Sequence, residues 1–178
     1  METEGLEFDV LWETSVPGLS LRGAWALTDT SYSAVFINAT GENLKGEDGA
    51  GSADLSGFMG ASLDRSLGGA WRVNLSADFR YTGDYAITAT RDPFEQDDFW
   101  IIDAAFSLYT EDGRHQLNLI GRNLNDEIWV VGAGAIPGRC PNYSATGTRC
   151  NNTGPNSLDQ AATTALGRTL TFQYKYTL

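Results

Sequence analysis

From residue 71 to residue 82 the chain alternates without a break. Trp71, Val73, Leu75, Ala77, Phe79 and Tyr81 occupy one set of positions, and Arg72, Asn74, Ser76, Asp78, Arg80 and Thr82 the other. Successive side chains of a β-strand point to opposite faces, so this pattern makes a strand with one apolar and one polar face. Strands of soluble domains mostly run about 5–6 residues. A strand twice as long, at about 3.3 Å per residue and tilted, crosses the hydrocarbon core of a bilayer.

The same period recurs along the chain. Leu6, Phe8, Val10 and Trp12 alternate with acids, and only Leu11 breaks the rule. Leu19, Leu21, Gly23, Trp25 and Leu27 form a second set; Leu55, Gly57, Met59, Ala61 and Leu63 a third. Trp100, Ile102, Ala104, Phe106 and Leu108 form a fifth after the stretch at 71–82. A sixth runs from His115 to about Val130, irregular after Leu119 as a bulge would make it, and Leu170, Phe172, Tyr174, Tyr176 and Leu178 form a seventh. Turn residues at Val16-Pro17-Gly18, Gly68-Gly69 and Glu111-Asp112-Gly113 close three hairpins tightly. Between the hairpins lie long connections, roughly Asp29–Asp54, Thr88–Phe99 and Val131–Leu166. Short turns on one side and long loops on the other, with Trp12, Trp25, Trp71, Tyr81, Trp100 and Tyr176 near the strand ends, match outer-membrane barrels. The expected fold is therefore all-β: an antiparallel transmembrane β-barrel segment of about seven long meander strands. Its short turns would be periplasmic, its long loops extracellular, and the barrel incomplete. The rival readings are a small standalone barrel with a structural or adhesion role and a soluble ligand-binding β-sandwich.

Charge narrows the partners. A formal net charge of −11 weighs against nucleic acid, which binds basic stripes, and suits either solubility or acidic loops facing outward. The opening METEGLEFDV lacks the basic start and apolar stretch of a secretion signal. Motifs for catalysis are missing: there is no Gly-x-Ser-x-Gly, no His-Glu-x-x-His and no phosphate loop. The expectation is a protein that is not an enzyme and needs no cofactor or metal.

The local chemistry sits in the loops. Cys140 and Cys150, the only cysteines, fall within the longest loop and read as a disulfide worth about 2–3 kcal/mol against loop disorder. A metal pair is the weaker reading, because the single histidine, His115, is far away in sequence. Acids at Glu47, Asp48 and Asp54, and at Glu95, Asp97 and Asp98, lack calcium-loop spacing and read as solvated. Tyr32, Phe36, Phe94, Phe99, Trp129 and Tyr143 are the aromatic residues that would stack on a small-molecule ligand, or pack within the loops. Glu7, Asp9, Arg22, Arg72, Asp78, Arg80, Asp103 and Lys175 put both signs of charge on the polar faces.

In its C-terminal half the chain resembles a known family. Gly121-Arg122-Asn123-Leu124-Asn125-Asp126-Glu127 is similar to the penultimate-strand segment of TonB-dependent outer-membrane receptors. The ending from Gly167 to Leu178 resembles their last strand, and Gly5-Leu6-Glu7-Phe8-Asp9 a strand a few hairpins upstream. The final residue departs from the pattern, being Leu178 where such barrels mostly end on an aromatic. The resemblance implies that residues 1–178 are the C-terminal portion of a 22-stranded barrel whose plug domain lies outside this sequence. It implies residence in the outer membrane of a Gram-negative cell. It further implies energy-coupled uptake of a scarce ligand (an iron–siderophore, cobalamin or an oligosaccharide). The partners implied are membrane lipid, the rest of the barrel and plug, and the TonB complex through that N-terminal part.

Overall fold

A computed structural model describes residues 1–38, 41–90, 94–135 and 160–178. Among them there is no helix, and therefore none long and apolar enough to cross a membrane. The strands are β1 (Glu2–Glu13), β2 (Leu19–Ser31), β3 (Leu55–Gly68), β4 (Trp71–Thr82), β5 (Tyr85–Ala86), β6 (Glu95–Gln96), β7 (Phe99–Thr110), β8 (His115–Arg122), β9 (Val130–Ala135), β10 (Gln160–Thr164) and β11 (Thr169–Tyr176). Seven of them form one antiparallel sheet in the order β1-β2-β3-β4-β7-β8-β11, while β5 pairs with β6 and β9 with β10 as two separate ribbons. Every neighbour in the large sheet is also the next long strand in sequence, which makes it a meander. The sheet is open, with β1 and β11 as its edges.

The alternation explains the strands, and the glycines explain the turns. Gly18, Gly68, Gly69 and Gly113 hold φ values of 80°, 89°, 66° and 69°, a region closed to most side chains, and each sits in one of the three short connections or at its start. Those connections lie along one edge of the sheet, and the described residues between β2 and β3, between β4 and β7, and between β8 and β11 lie along the other.

Register places all the alternating apolar residues on one face. The row Phe8–Trp25–Gly57–Tyr81–Trp100 runs in register from β1 to β7 near the long-loop edge. A second row, Trp12–Leu21–Ala61–Ala77–Ala104–Gly121–Leu170, crosses all seven strands. Trp12 lies one residue short of the end of β1, but Leu170 lies six short of the end of β11. The short-turn edge thus slips five residues over six strand-to-strand steps. With about 3.3 Å per residue and about 4.8 Å between strands, that slip is a tilt of about 30°.

This apolar face has no core behind it. Leu6 is 74% exposed, Phe8 66%, Leu119 49% and Phe172 69%. The buried apolar side chains among the described residues are Tyr32, Leu44, Phe99 and Ile101, and none lies on that face. Burying a side chain of such size stabilises by about 1.5–3 kcal/mol, so in water the face would leave much of its driving force unused.

The structure departs from the sequence reading in the sixth strand. β8 stops at Arg122 instead of continuing irregularly towards Val130, and β9 belongs to a separate ribbon. The physical reason is local: Asn123 takes φ 51° and Asp126 φ 59°, and two left-handed residues in quick succession turn the chain out of the sheet.

Candidate functional site

The polar face carries charges in cross-strand pairs. Arg22 on β2 donates to Asp78 on β4 at 2.7 Å, reaching across the intervening β3. It can do so because the β3 residue between them is Gly60: a Cβ there would collide with Asp78 Oδ1 and come within 3.1 Å of Arg22 Nε. Arg80 on β4 donates to Asp103 on β7 at 2.7 Å. Nearer the short turns Arg72 pairs with Asp64, whose other carboxylate oxygen accepts from the Tyr109 hydroxyl. Asn118, 7% exposed, links three strands by accepting from Ser107 at 2.7 Å and donating to Gln173 at 3.1 Å. Arg22, Phe58, Asp78, Arg80, Asp103 and Arg122 line one recess of this wall. Of the polar-face charges picked from sequence, Arg22, Arg72, Asp78, Arg80 and Asp103 are tied to one another or to Asp64. The roles of Asp64 and Tyr109 were missed, although Asp64 stands in register with Asn74, two residues from Arg72 across a tight turn.

The segment Gly121–Glu127 is a corner built of hydrogen bonds. Asn123, 5% exposed, donates through its backbone N–H to Asp103 Oδ1 at 2.8 Å and through its side chain to the Glu127 carbonyl at 2.8 Å. Its Oδ1 accepts from the Glu127 N–H at 2.9 Å. Asn125 takes over where β8 has ended: its carboxamide accepts from the Ile102 N–H at 3.1 Å and donates to the Trp100 carbonyl at 2.7 Å. One side chain thereby replaces a strand partner for β7. Asp126 accepts from the Arg168 N–H at 2.8 Å, bringing the chain back into β11. Leu124 packs over Gly121, where a Cβ would stand 3.1 Å from its Cγ. Arg122 ends β8 on the polar face.

On the apolar face the Trp25 ring lies over Gly57, where a Cβ would come within 2.6 Å of Trp25 Cε3. This lets Trp25 reach past β3 to Tyr81, at 6.2 Å between ring centres, and Trp100, at 6.4 Å. Tyr81 and Trp100 themselves are 4.8 Å apart. At the opposite edge His115 meets the Tyr174 hydroxyl at 2.8 Å and the Tyr176 ring at 5.0 Å.

Described parts of the long connections are hydrogen-bonded to one another. The Gly51 N–H donates to the Ala86 carbonyl at 2.7 Å, the Tyr85 hydroxyl to the Val130 carbonyl at 3.2 Å, and the Val130 N–H to Gln96 at 2.7 Å. Tyr32 is buried and stacks on Phe36 with ring centres 4.9 Å apart; Phe99 is buried and stacks on Trp129 at 5.2 Å. Phe94 is half-buried, and its N–H donates to Thr88 at 2.8 Å. Tyr32 and Phe99 therefore spend their faces within the loops, while Phe36 remains 44% exposed. Cys140, Cys150 and Tyr143 lie outside the described residues. Glu47, Asp48 and Asp54 share a recess with Asp84 and Glu95, but no described group of three has the geometry to hold a metal. Comparison with protein-family models and with curated proteins finds no match for this chain.

Proposed function

We propose that this chain is part of the wall and outer loops of an outer-membrane β-barrel of the TonB-dependent receptor kind. Its role would be energy-coupled uptake of a scarce ligand such as an iron–siderophore, cobalamin or an oligosaccharide. One observation carries the reading: a seven-stranded sheet has a continuous, uncovered apolar face with an aromatic row near its long-loop edge, and its reverse face is polar and ion-paired. In water that arrangement is inside out, because the charged face is satisfied and the apolar one has no partner. Lipid supplies the partner.

Dimensions agree. Trp71 and Tyr81 stand ten residues apart on β4, which is about 33 Å along the strand and about 29 Å along the normal at a tilt of about 30°. The apolar band of such barrels, with its girdles, is of that height. A soluble sandwich would set a second sheet about 10 Å from this face, and no described residue does so. The receptor assignment itself rests on the resemblance of Gly121–Glu127 and of the last strand, and the corner geometry gives those residues a physical task.

Cell fractionation tests it, with an antibody raised against the 32–54 loop. The expected result is an outer-membrane band, heat-modifiable and much heavier than the 19.3 kDa of this chain. A soluble product would overturn the membrane reading. A membrane band at 19.3 kDa would overturn the receptor reading in favour of a small barrel.

A further inference from the structure

We infer that Arg65 is a contact for the phosphate of an anionic phospholipid in the leaflet at the short-turn edge; this rests on the membrane reading above. Among the strand arginines Arg22, Arg72, Arg80 and Arg122 stand on the polar face, and the first three each hold an aspartate. Arg65 differs in both respects. It stands in register with Val73, between Leu63 and Leu67, and so on the apolar face. It is exposed and has no ion pair or side-chain hydrogen bond among the described residues.

Position along the strand decides what it meets. Arg65 lies three residues from the end of β3, near the level of Trp71, whose partner is Gly68. The charges of the apolar face are sorted by edge. Glu2, Glu4 and Asp29 stand at the long-loop end, Arg65 at the short-turn end. A guanidinium here lays its apolar stem along the hydrocarbon and lifts its head to the interface, where a phosphodiester offers two oxygens to its planar fork. An unpaired cation on an apolar face has no better acceptor within the described chain.

The test uses the protein at its native length, purified from membranes and refolded with two vesicle preparations, phosphatidylcholine alone and phosphatidylcholine mixed with phosphatidylglycerol. Flotation reports the bound fraction, and the tryptophan blue shift reports insertion. The chain should prefer the anionic mixture. Arg65→Gln should reduce that preference about fivefold, the effect of one basic side chain at an anionic surface, and Arg65→Lys should keep most of it. Lys175→Gln is the control: it removes the same charge near the same edge but from the polar face, opposite Gln116, and should leave the preference unchanged. An equal loss in both Gln variants, no loss in Arg65→Gln, or no preference in the parent chain would each overturn the phosphate contact. A parent chain that floats with neither vesicle would instead overturn the membrane reading beneath it.

Discussion

Arg22 and Asp78 form a 2.7 Å ion pair across a strand to which neither belongs, and Gly60 is the gap through which they meet. A double-mutant cycle of Arg22→Gln and Asp78→Asn should give a coupling of about 0.2–1 kcal/mol, the range of partly exposed pairs. In a Gly60→Ala background the same cycle should give none, because the new methyl occupies the carboxylate's place. Urea midpoints provide the measurement, and a coupling that survives Gly60→Ala would disprove the crossing geometry.

Asn125 should behave as a piece of backbone. Removing its carboxamide in Asn125→Ala frees the Ile102 N–H, and amide exchange at Ile102 should accelerate by an order of magnitude or more, corresponding to about 1–2 kcal/mol. Asn125→Asp keeps the acceptor and should keep Ile102 slow, while losing the donor to the Trp100 carbonyl. Equal exchange rates in the two variants would rule out the surrogate role.

The two faces should answer a buried charge oppositely. Leu75 sits mid-strand on the apolar face between Leu63 and Phe106, and its neighbour Ser76 on the polar face between Ser62 and Ala105. With the apolar face in lipid, Leu75→Arg should weaken folding into vesicles by about 2–4 kcal/mol, and Ser76→Arg by much less. Denaturant titration in vesicles distinguishes them. Similar penalties for both variants would argue against lipid on the Leu75 side.

The turn after β7 should open in acid. The Thr110 hydroxyl bonds to Asp112, and the Arg114 N–H adds a second bond, so the carboxyl is held below its ordinary value. A lowered carboxyl stabilises the folded turn above the ordinary carboxylate pKa. That contribution fades as pH falls through the lowered value. Exchange of the Arg114 amide should therefore stay slow at mildly acidic pH and quicken only below the usual carboxylate range. Asp112→Asn should abolish that pH dependence; if it persists in the variant, another group is responsible.

Much of this was legible from period and punctuation. The unbroken alternation at 71–82 fixed β4 to the residue, and the glycine-bearing turns fixed the hairpins, because a two-residue period and a positive φ each leave few options. The sixth strand was read too long. Val130 continues an apolar pattern, but the left-handed Asn123 and Asp126 turn the chain away, and single residues in that region leave little trace in a sequence. The loop aromatics were chosen by type alone; sequence could not say that Tyr32 and Phe99 would be buried against Phe36 and Trp129.

The sequence by itself determined the seven long strands, their two unlike faces and the alternation of short and long connections, since all three follow from local geometry and solvent preference; the short ribbons β5–β6 and β9–β10 carry no such period. Tertiary structure decided with what register and slip those strands stand side by side. Only that register carries Arg22 over Gly60 to Asp78 and Trp25 over Gly57 to Tyr81 and Trp100. Only it leaves Arg65 without an acid. These partners lie tens of residues apart, and their meeting depends on where a glycine of β3 falls opposite its neighbours, which no local pattern records.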